Sequence, residues 1–388
     1  MPLFNIPIPD FLKPKPSETP VLNICMMGPR SVGKTTVLTS IFFETQDSVC
    51  GSKLYMKALD TNTEKLINYH TMLVDAVEKG NAANLPASNT ESNFKFGLGL
   101  KGQQPTLHLN VQDFPGEYLI SKKSEVNDYM AKATVVLIAI DTPYMMEENG
   151  YYNIQKNKLD IVTKYLKDNS ASIKDKLVLF VPLKCELYAH EGRIESVTDK
   201  VKETYSDLIS YFKQNNIASF VTPIHTLGGM EFDKMVDNTS GIGDVEKIAT
   251  YRSYIAKPKY APLFCPQPLY YLLTYVTNYY QWQKTQKKDG FLSGIMDSIY
   301  SFFMHDEVFF EEVQKICKYI ILKSATKPFN VLLACARPLI TELSDKLRLK
   351  HPLLPTISPY PTMRLETIRC IISISCRRYP KSVWNTSA

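Results

Sequence analysis

The sequence predicts an α/β domain built on a mostly parallel sheet with helices on both faces, followed by a C-terminal appendage. Two observations carry this expectation. Apolar strand-like runs alternate with helical patterns from residue 21 to residue 285, and that rhythm needs crossover connections, which lay helices over both faces of a parallel sheet. A glycine-rich loop falls between the first apolar run and the first helical pattern, at the carboxyl end of a strand, where sheets of this kind bind ligands.

The elements follow in order. Residues 1–20 contain Pro2, Pro7, Pro9, Pro14, Pro16 and Pro20, too many locked φ angles and missing N–H groups for a helix or a central strand, so they read as a leader. Residues 21–27 form an apolar run and 35–43 read as helix. Residues 61–77 carry Leu66, His70, Leu73 and Val77 at helical spacing, with Thr61 and Glu64 spaced as a capping box. Phe94, Phe96, Leu98 and Leu100 alternate with polar or small residues, as do Leu107, Leu109 and Val111; with Gly102 and Pro105 between them they predict an antiparallel pair. Further strands are expected at 134–140, 177–183 and 218–224. Val197, Val201, Tyr205, Leu208 and Phe212 mark a helix, and 269–282 another.

The polar stretch 283–290 reads as a boundary. The chain then has three parts: the leader 1–20, the α/β domain 21–285, and an appendage 286–388 with a basic tail. Within the appendage Leu292, Ile295, Met296, Ile299, Phe302 and Phe303 fall on one helical face, suited to a core or a partner groove. Its polar face lacks the basic residues that an anionic membrane favours, so membrane contact is open but not favoured.

With 44% hydrophobic and 22% charged residues in 388, the chain has material for a sizeable core, which excludes a predominantly disordered protein. Of the net charge of +6, eight Lys/Arg against three acids from Thr341 onward give +5, leaving a nearly neutral body. Nucleic acid is therefore not an expected partner. Eight cysteines without a C-x-x-C pair or adjacent histidines argue against a zinc site and for a reducing, cytoplasmic setting. The start lacks the pattern of a secretory signal, and no uninterrupted apolar run reaches the length of a membrane span.

Three segments carry chemistry. Gly28-Pro29-Arg30-Ser31-Val32-Gly33-Lys34-Thr35 fits G-x-x-x-x-G-K-[ST] between strand and helix. Such a loop turns its N–H groups toward phosphate oxygens, and the helix N-terminus, where Thr36 follows, adds a favourable field. Lys34 is placed to reach β- and γ-phosphates, and the Thr35 hydroxyl to ligate magnesium. Next, Asp113-Phe114-Pro115-Gly116-Glu117 ends a strand: Asp113 is a second metal anchor, and the Gly116 N–H can approach a γ-phosphate with no side chain in the way. Finally, Lys184-Cys185-Glu186 closes another strand; the Glu186 carboxylate can accept from guanine N1–H and its 2-amino group, with the Lys184 stem along the base plane.

In this order and on successive strands, these segments resemble the G1, G3 and G4 motifs of translation-factor-related and Ras-like GTPases, over residues 21–285. Pro182-Leu183-Lys184-Cys185-Glu186, the turn His225-Thr226-Leu227-Gly228-Gly229 and Cys265-Pro266-Gln267-Pro268-Leu269 are similar to bacterial double-GTPase-like proteins of conflict and defence systems. The resemblance implies a P-loop NTPase that binds GTP and GDP with Mg2+. It implies that Thr226 and Leu227 help hold the base, and that Glu117 stands where a Ras-like enzyme orients its water. Arg30 is the candidate for an arginine finger in cis, and Ser88 or Thr90 for the group that senses γ-phosphate and metal. A protein effector or a second copy would read the switch. Leu183 stands at the usual Asn position and Glu186 replaces Asp, so ATP stays open as the nucleotide.

Overall fold

A computed structural model describes residues 19–81, 85, 92–115, 117–173, 176–215, 217–239, 245–286 and 294–326. The leader up to residue 18, Ser88, Thr90, Gly116, Leu292 and the basic tail lie outside the described residues.

The first half of the chain runs β1 (Val21–Met27), α1 (Lys34–Thr45), β2 (Leu54–Ala58), α2 (Thr61–Glu78), β3 (Ser92–Leu100), β4 (Leu107–Asp113), α3 (Tyr118–Ser121), α4 (Lys123–Lys132) and β5 (Val135–Asp141). A crossover of short helices follows: α5 (Thr142–Met146), α6 (Asn153–Asn157), α7 (Leu159–Asp168) and α8 (Ser170–Ile173). Next come β6 (Leu177–Leu183), α9 (Glu186–His190), α10 (Ile194–Thr204), α11 (Ser206–Gln214) and β7 (Ala218–Val221). The hairpin strands β8 (Met230–Asp237) and β9 (Lys247–Ser253) precede α12 (Gln267–Gln286), α13 (Gly294–His305) and α14 (Glu307–Thr326).

Seven strands form one sheet in the order β2-β3-β4-β1-β5-β6-β7. The pairs from β4 through β7 are parallel, while β3 runs antiparallel to both β4 and β2. The expected antiparallel pair is thus β3 with β4, Phe94 facing Val111 and Phe96 facing Leu109. β2 and the separate β8–β9 hairpin have no counterpart among the expected elements.

β5 and β6 are buried at every position, as strands covered on both faces must be. Alternation along β5 sorts its side chains: Val135, Leu137 and Ala139 join one core with α1, α2 and α12. Val136, Ile138 and Ile140 join the other with α4, α7, α10 and α11. Each fully buried aliphatic side chain contributes about 1.5–3 kcal/mol, so the central strands are held from both sides.

Two local expectations need correction. The N-cap of α2 is Asp60, not Thr61: Asp60 is extended, and its Oδ1 accepts from the Thr63 N–H at 2.8 Å and the Thr63 hydroxyl at 2.7 Å. A carboxylate one residue earlier reaches the open N–H groups of the first turn, so the helix begins where Asp60 caps it. The helix expected over 197–212 is two helices, α10 and α11, meeting at Tyr205.

The expected boundary at 285/286 falls in the last turn of α12, and beyond it Ile299, Phe302, Phe303, Phe309, Val313 and Ile316 are buried in the same core as the sheet. Glu312 of α14, itself buried, accepts at 2.8 Å the N–H of Lys53, the residue just before edge strand β2. Among the described residues no helix is long and apolar enough to cross a membrane.

Candidate functional site

Parallel pairing brings the carboxyl ends of β4, β1, β5 and β6 side by side. Met26 pairs with Asp113, Met27 with Ile138, and Asp141 with Leu183. Four segments distant in sequence therefore open at one edge: the loop after β1, Asp113, Asp141, and Lys184 after β6.

The loop owes its shape to its glycines. Gly28 has φ +151°, and a Cβ there would sit 2.8 Å from the Ala139 carbonyl oxygen on β5. Gly33, the residue before α1, is left-handed with φ 110°, a conformation that is strained for residues with a Cβ. Between them the loop rises off the sheet and hands over to the α1 N-terminus, whose first N–H groups have no acceptor within the helix.

Three ammonium groups hold the loop from its carbonyl side. Lys34 Nζ donates to the Gly28 oxygen at 2.9 Å and the Pro29 oxygen at 3.1 Å. Lys156 of α6 donates to the Arg30 oxygen at 3.0 Å, and Lys184 to the Ser31 oxygen at 3.2 Å. Each residue from 28 to 31 thus offers its carbonyl to a lysine, which frees the opposite side of the loop, with its N–H groups, for an anion.

Lys34 also faces Asp113 Oδ1 at 3.5 Å, both side chains being 8% exposed. Burial pushes the Asp113 carboxyl above its usual range, and the Lys34 charge opposes that shift. Asp113 Oδ1 has no hydrogen-bond partner among the described residues. A buried carboxylate oxygen with no hydrogen bond among the described residues, held only by the 3.5 Å ion pair to Lys34 and lining the same cavity as Thr35, is a donor that a hard divalent cation takes, so the residues present fit magnesium.

At the other end Glu186 is buried, and its Oε1 takes three hydrogen bonds from the following turn: Leu227 N at 2.6 Å, Thr226 Oγ1 at 3.2 Å and Gly228 N at 3.3 Å. Burial raises its pKa, and the donors of the turn pull it back. Lys184 is left-handed, with φ 63°. Its ammonium lies 2.6 Å from Asp141 Oδ2 and 5.4 Å from the centre of the Tyr251 ring.

These groups surround one cavity of about 610 Å³, lined by Arg30 through Thr36, Asp113, Lys184, Glu186, Thr226 and Leu227. Gly28 and Pro29 form the base of the loop behind it. Glu117 is exposed, caps α3 through its carbonyl oxygen, and does not line the cavity. Gly116 and Thr90, expected at the γ-phosphate and the metal, lie outside the described residues.

Sequence reasoning missed Asp141, Tyr144, Lys156 and Tyr251, all of which line the cavity. Asp141 had a legible signal, an acid ending the apolar strand β5. The others come from a crossover and a hairpin whose placement no local pattern reveals. Tyr144 pins that hairpin: its hydroxyl donates to the Lys247 oxygen at 2.9 Å and accepts the Ala249 N–H at 3.2 Å.

The chain has an α/β fold, a seven-stranded, mostly parallel sheet flanked by helices with the glycine-rich loop between β1 and α1. No protein-family model matches it, and no curated protein does. Among solved structures it is similar to the Ski7 GTPase-like domain of S. cerevisiae bound to GDP and inorganic phosphate, at 15% identity and a TM-score of 0.35, over 63% of this chain and 48% of that one. The same domain bound to GTP matches at 16% identity and a TM-score of 0.33, over 54% and 43%. The chain thus spans about half the length of these structures.

Proposed function

We propose that the protein binds GTP with magnesium in this cavity and hydrolyses it to GDP and phosphate, acting as a conformational switch in the cytoplasm. The observation that carries the reading is the convergence of the loop residues Arg30 through Thr36, Asp113, Lys184, Glu186, Thr226 and Leu227 on one cavity of about 610 Å³, a volume in the range of small-ligand sites.

In this reading the loop N–H groups and the α1 N-terminus bind the phosphates, and Lys34 turns from its loop carbonyls to the β- and γ-phosphate oxygens. Thr35 and Asp113 hold magnesium, which when bound supplies positive charge to the phosphate chain. Lys184 fixes the loop to β5, and Glu186 sets the turn carrying Thr226 and Leu227 against the base. A water oxygen bonds to the γ-phosphorus as the bond to the β–γ bridging oxygen breaks. GDP departs with that electron pair, and the water's protons pass to phosphate and solvent. The kinship with bacterial double-GTPase-like defence proteins, and an effector protein or second copy as the reader of the switch, belong to the same proposal.

One observation favours a second reading. Glu117 is exposed and outside the cavity, which suits a nucleotide-dependent scaffold that binds GTP and barely turns it over without a partner. Turnover measured with and without candidate partners separates the two.

The primary test is binding of fluorescent GTP and ATP with magnesium to the full chain and to Lys34→Ala. Saturable GTP binding that ATP does not displace, and that Lys34→Ala weakens at least tenfold, is expected from loss of one charge-assisted contact. Equal weak binding in both proteins removes the nucleotide reading.

A further inference from the structure

The sequence places its auxiliary cation at Arg30, inside the loop. The structure brings a different one to the cavity. Lys156 stands on α6, in the crossover between β5 and β6, and the segment is fastened to the end of β5 by its neighbour Asn157. Asn157 Oδ1 accepts the Asp141 N–H at 2.7 Å, and its Nδ2 donates to the Asp141 oxygen at 3.1 Å and to Asn153 Oδ1 at 2.7 Å. The Lys156 ammonium lies 5.3 Å from the centre of the Tyr144 ring and 3.0 Å from the Arg30 oxygen. Backbone anchor, aromatic face and loop carbonyl together hold the side chain at the cavity wall.

The three lysines of the loop are not equivalent. Lys34 faces Asp113 at 3.5 Å and Lys184 faces Asp141 at 2.6 Å. Among the described residues no carboxylate lies within ion-pair distance of Lys156. Burial lowers its pKa to about 8; Lys184 and Lys34 push in the same direction, against the pull of Asp141 and Glu117. An ammonium at the cavity wall, held by a loop carbonyl and an aromatic face with no carboxylate among the described residues in ion-pair distance, is only partly balanced, and a polyanion entering the cavity is the partner that balances it.

We propose that Lys156 is a third cation for the phosphate chain, supplied in cis by the crossover, which contacts a nucleoside triphosphate more strongly than a diphosphate. This rests on the nucleotide reading above and adds to it a residue that the motif does not contain. A preorganised cation that engages the terminal phosphate also meets the charge that develops there during transfer, as cis fingers do.

The test compares the full chain with Lys156→Gln, which keeps length and removes charge, and Lys156→Arg, which keeps charge. Thermal melting verifies that each variant is folded. The probes are a non-hydrolysable GTP analogue, GDP and inorganic tripolyphosphate, each with magnesium. For Lys156→Gln, affinity for the analogue and for tripolyphosphate should fall about tenfold, the weight of one charge-assisted hydrogen bond, with GDP changed much less. Lys156→Arg should restore most of the loss. An equal change for GDP and the analogue, or no change for either, overturns the role of Lys156 while leaving nucleotide binding in place. Failure of the unaltered chain to bind any of the probes instead overturns the nucleotide reading, and this role with it.

Discussion

Lys184 Nζ lies 2.6 Å from Asp141 Oδ2 and 3.2 Å from the Ser31 carbonyl oxygen, so one ammonium joins the ends of β5 and β6 to the loop after β1. Asp141 is fully buried, and removing its counter-ion leaves an uncompensated charge. Lys184→Ala should cost about 3 kcal/mol in urea unfolding, and Asp141→Asn on that background should recover part of it. Additive losses in the double-mutant cycle would contradict the pairing.

Gly28→Ala places a methyl group 2.8 Å from the Ala139 oxygen and 2.9 Å from its Cβ, at φ +151°. Backbone strain of this kind costs about 1–3 kcal/mol, and relief requires the loop to move off β5. Lower thermal stability and weaker nucleotide binding are expected together. An alanine variant with an unchanged melting temperature would show that the loop is not seated against β5.

Glu186 has a structural duty separable from any contact with a base. Gln keeps an acceptor oxygen for the Leu227 and Gly228 N–H groups, whereas Ala leaves both donors without it. Glu186→Ala should lose about 1–3 kcal/mol and Glu186→Gln well under half as much. If the carboxylate also reads guanine, Glu186→Gln should narrow the ratio of GTP to ATP affinity while remaining stable. Equal destabilisation by both substitutions would rule out the turn-holding role.

His225 sets a pH dependence of stability. It is buried, its Nε2 has no partner among the described residues, and burial lowers its pKa to about 4 from 6.5. The unfolded chain takes up a proton near pH 6.5 and the folded chain only near 4. The unfolded state therefore gains relative stability as pH falls between those values. A loss on the order of 3 kcal/mol is expected over that window, with no further contribution from this group below it. Comparing unfolding free energies of the full chain and His225→Leu across pH 7 to 4 checks this, since the variant should show a shallower decline.

How much of this was readable beforehand depended on how local the cause was. β1, β5 and β6 were legible because strands covered on both faces are continuously apolar, and the loop because a left-handed Gly33 and a close-packed Gly28 leave a fixed spacing. β2 was not, since Leu54, Met56 and their neighbours become a strand only through pairing with β3. The Asp60 cap was missed because Thr61 and Glu64 satisfy the same rule one residue later. Glu186 lines the cavity, but its bonds to the 226–228 turn are long-range and no local pattern announces them. Lys156 and Tyr251 lie beyond local inference altogether: one sits on a five-residue helix, the other on a hairpin, and tertiary packing alone carries them to the cavity wall.

The hydrogen bond from Lys53 N–H to Glu312 spans 259 positions of sequence. During synthesis, the strand at the sheet's outer margin must wait for a carboxylate that leaves the ribosome 259 positions after Lys53. Until then the nascent protein presents a raw flank to its surroundings, so a product ended by a stop codon ahead of α14 would be a target for quality control even with its loop and lysines complete.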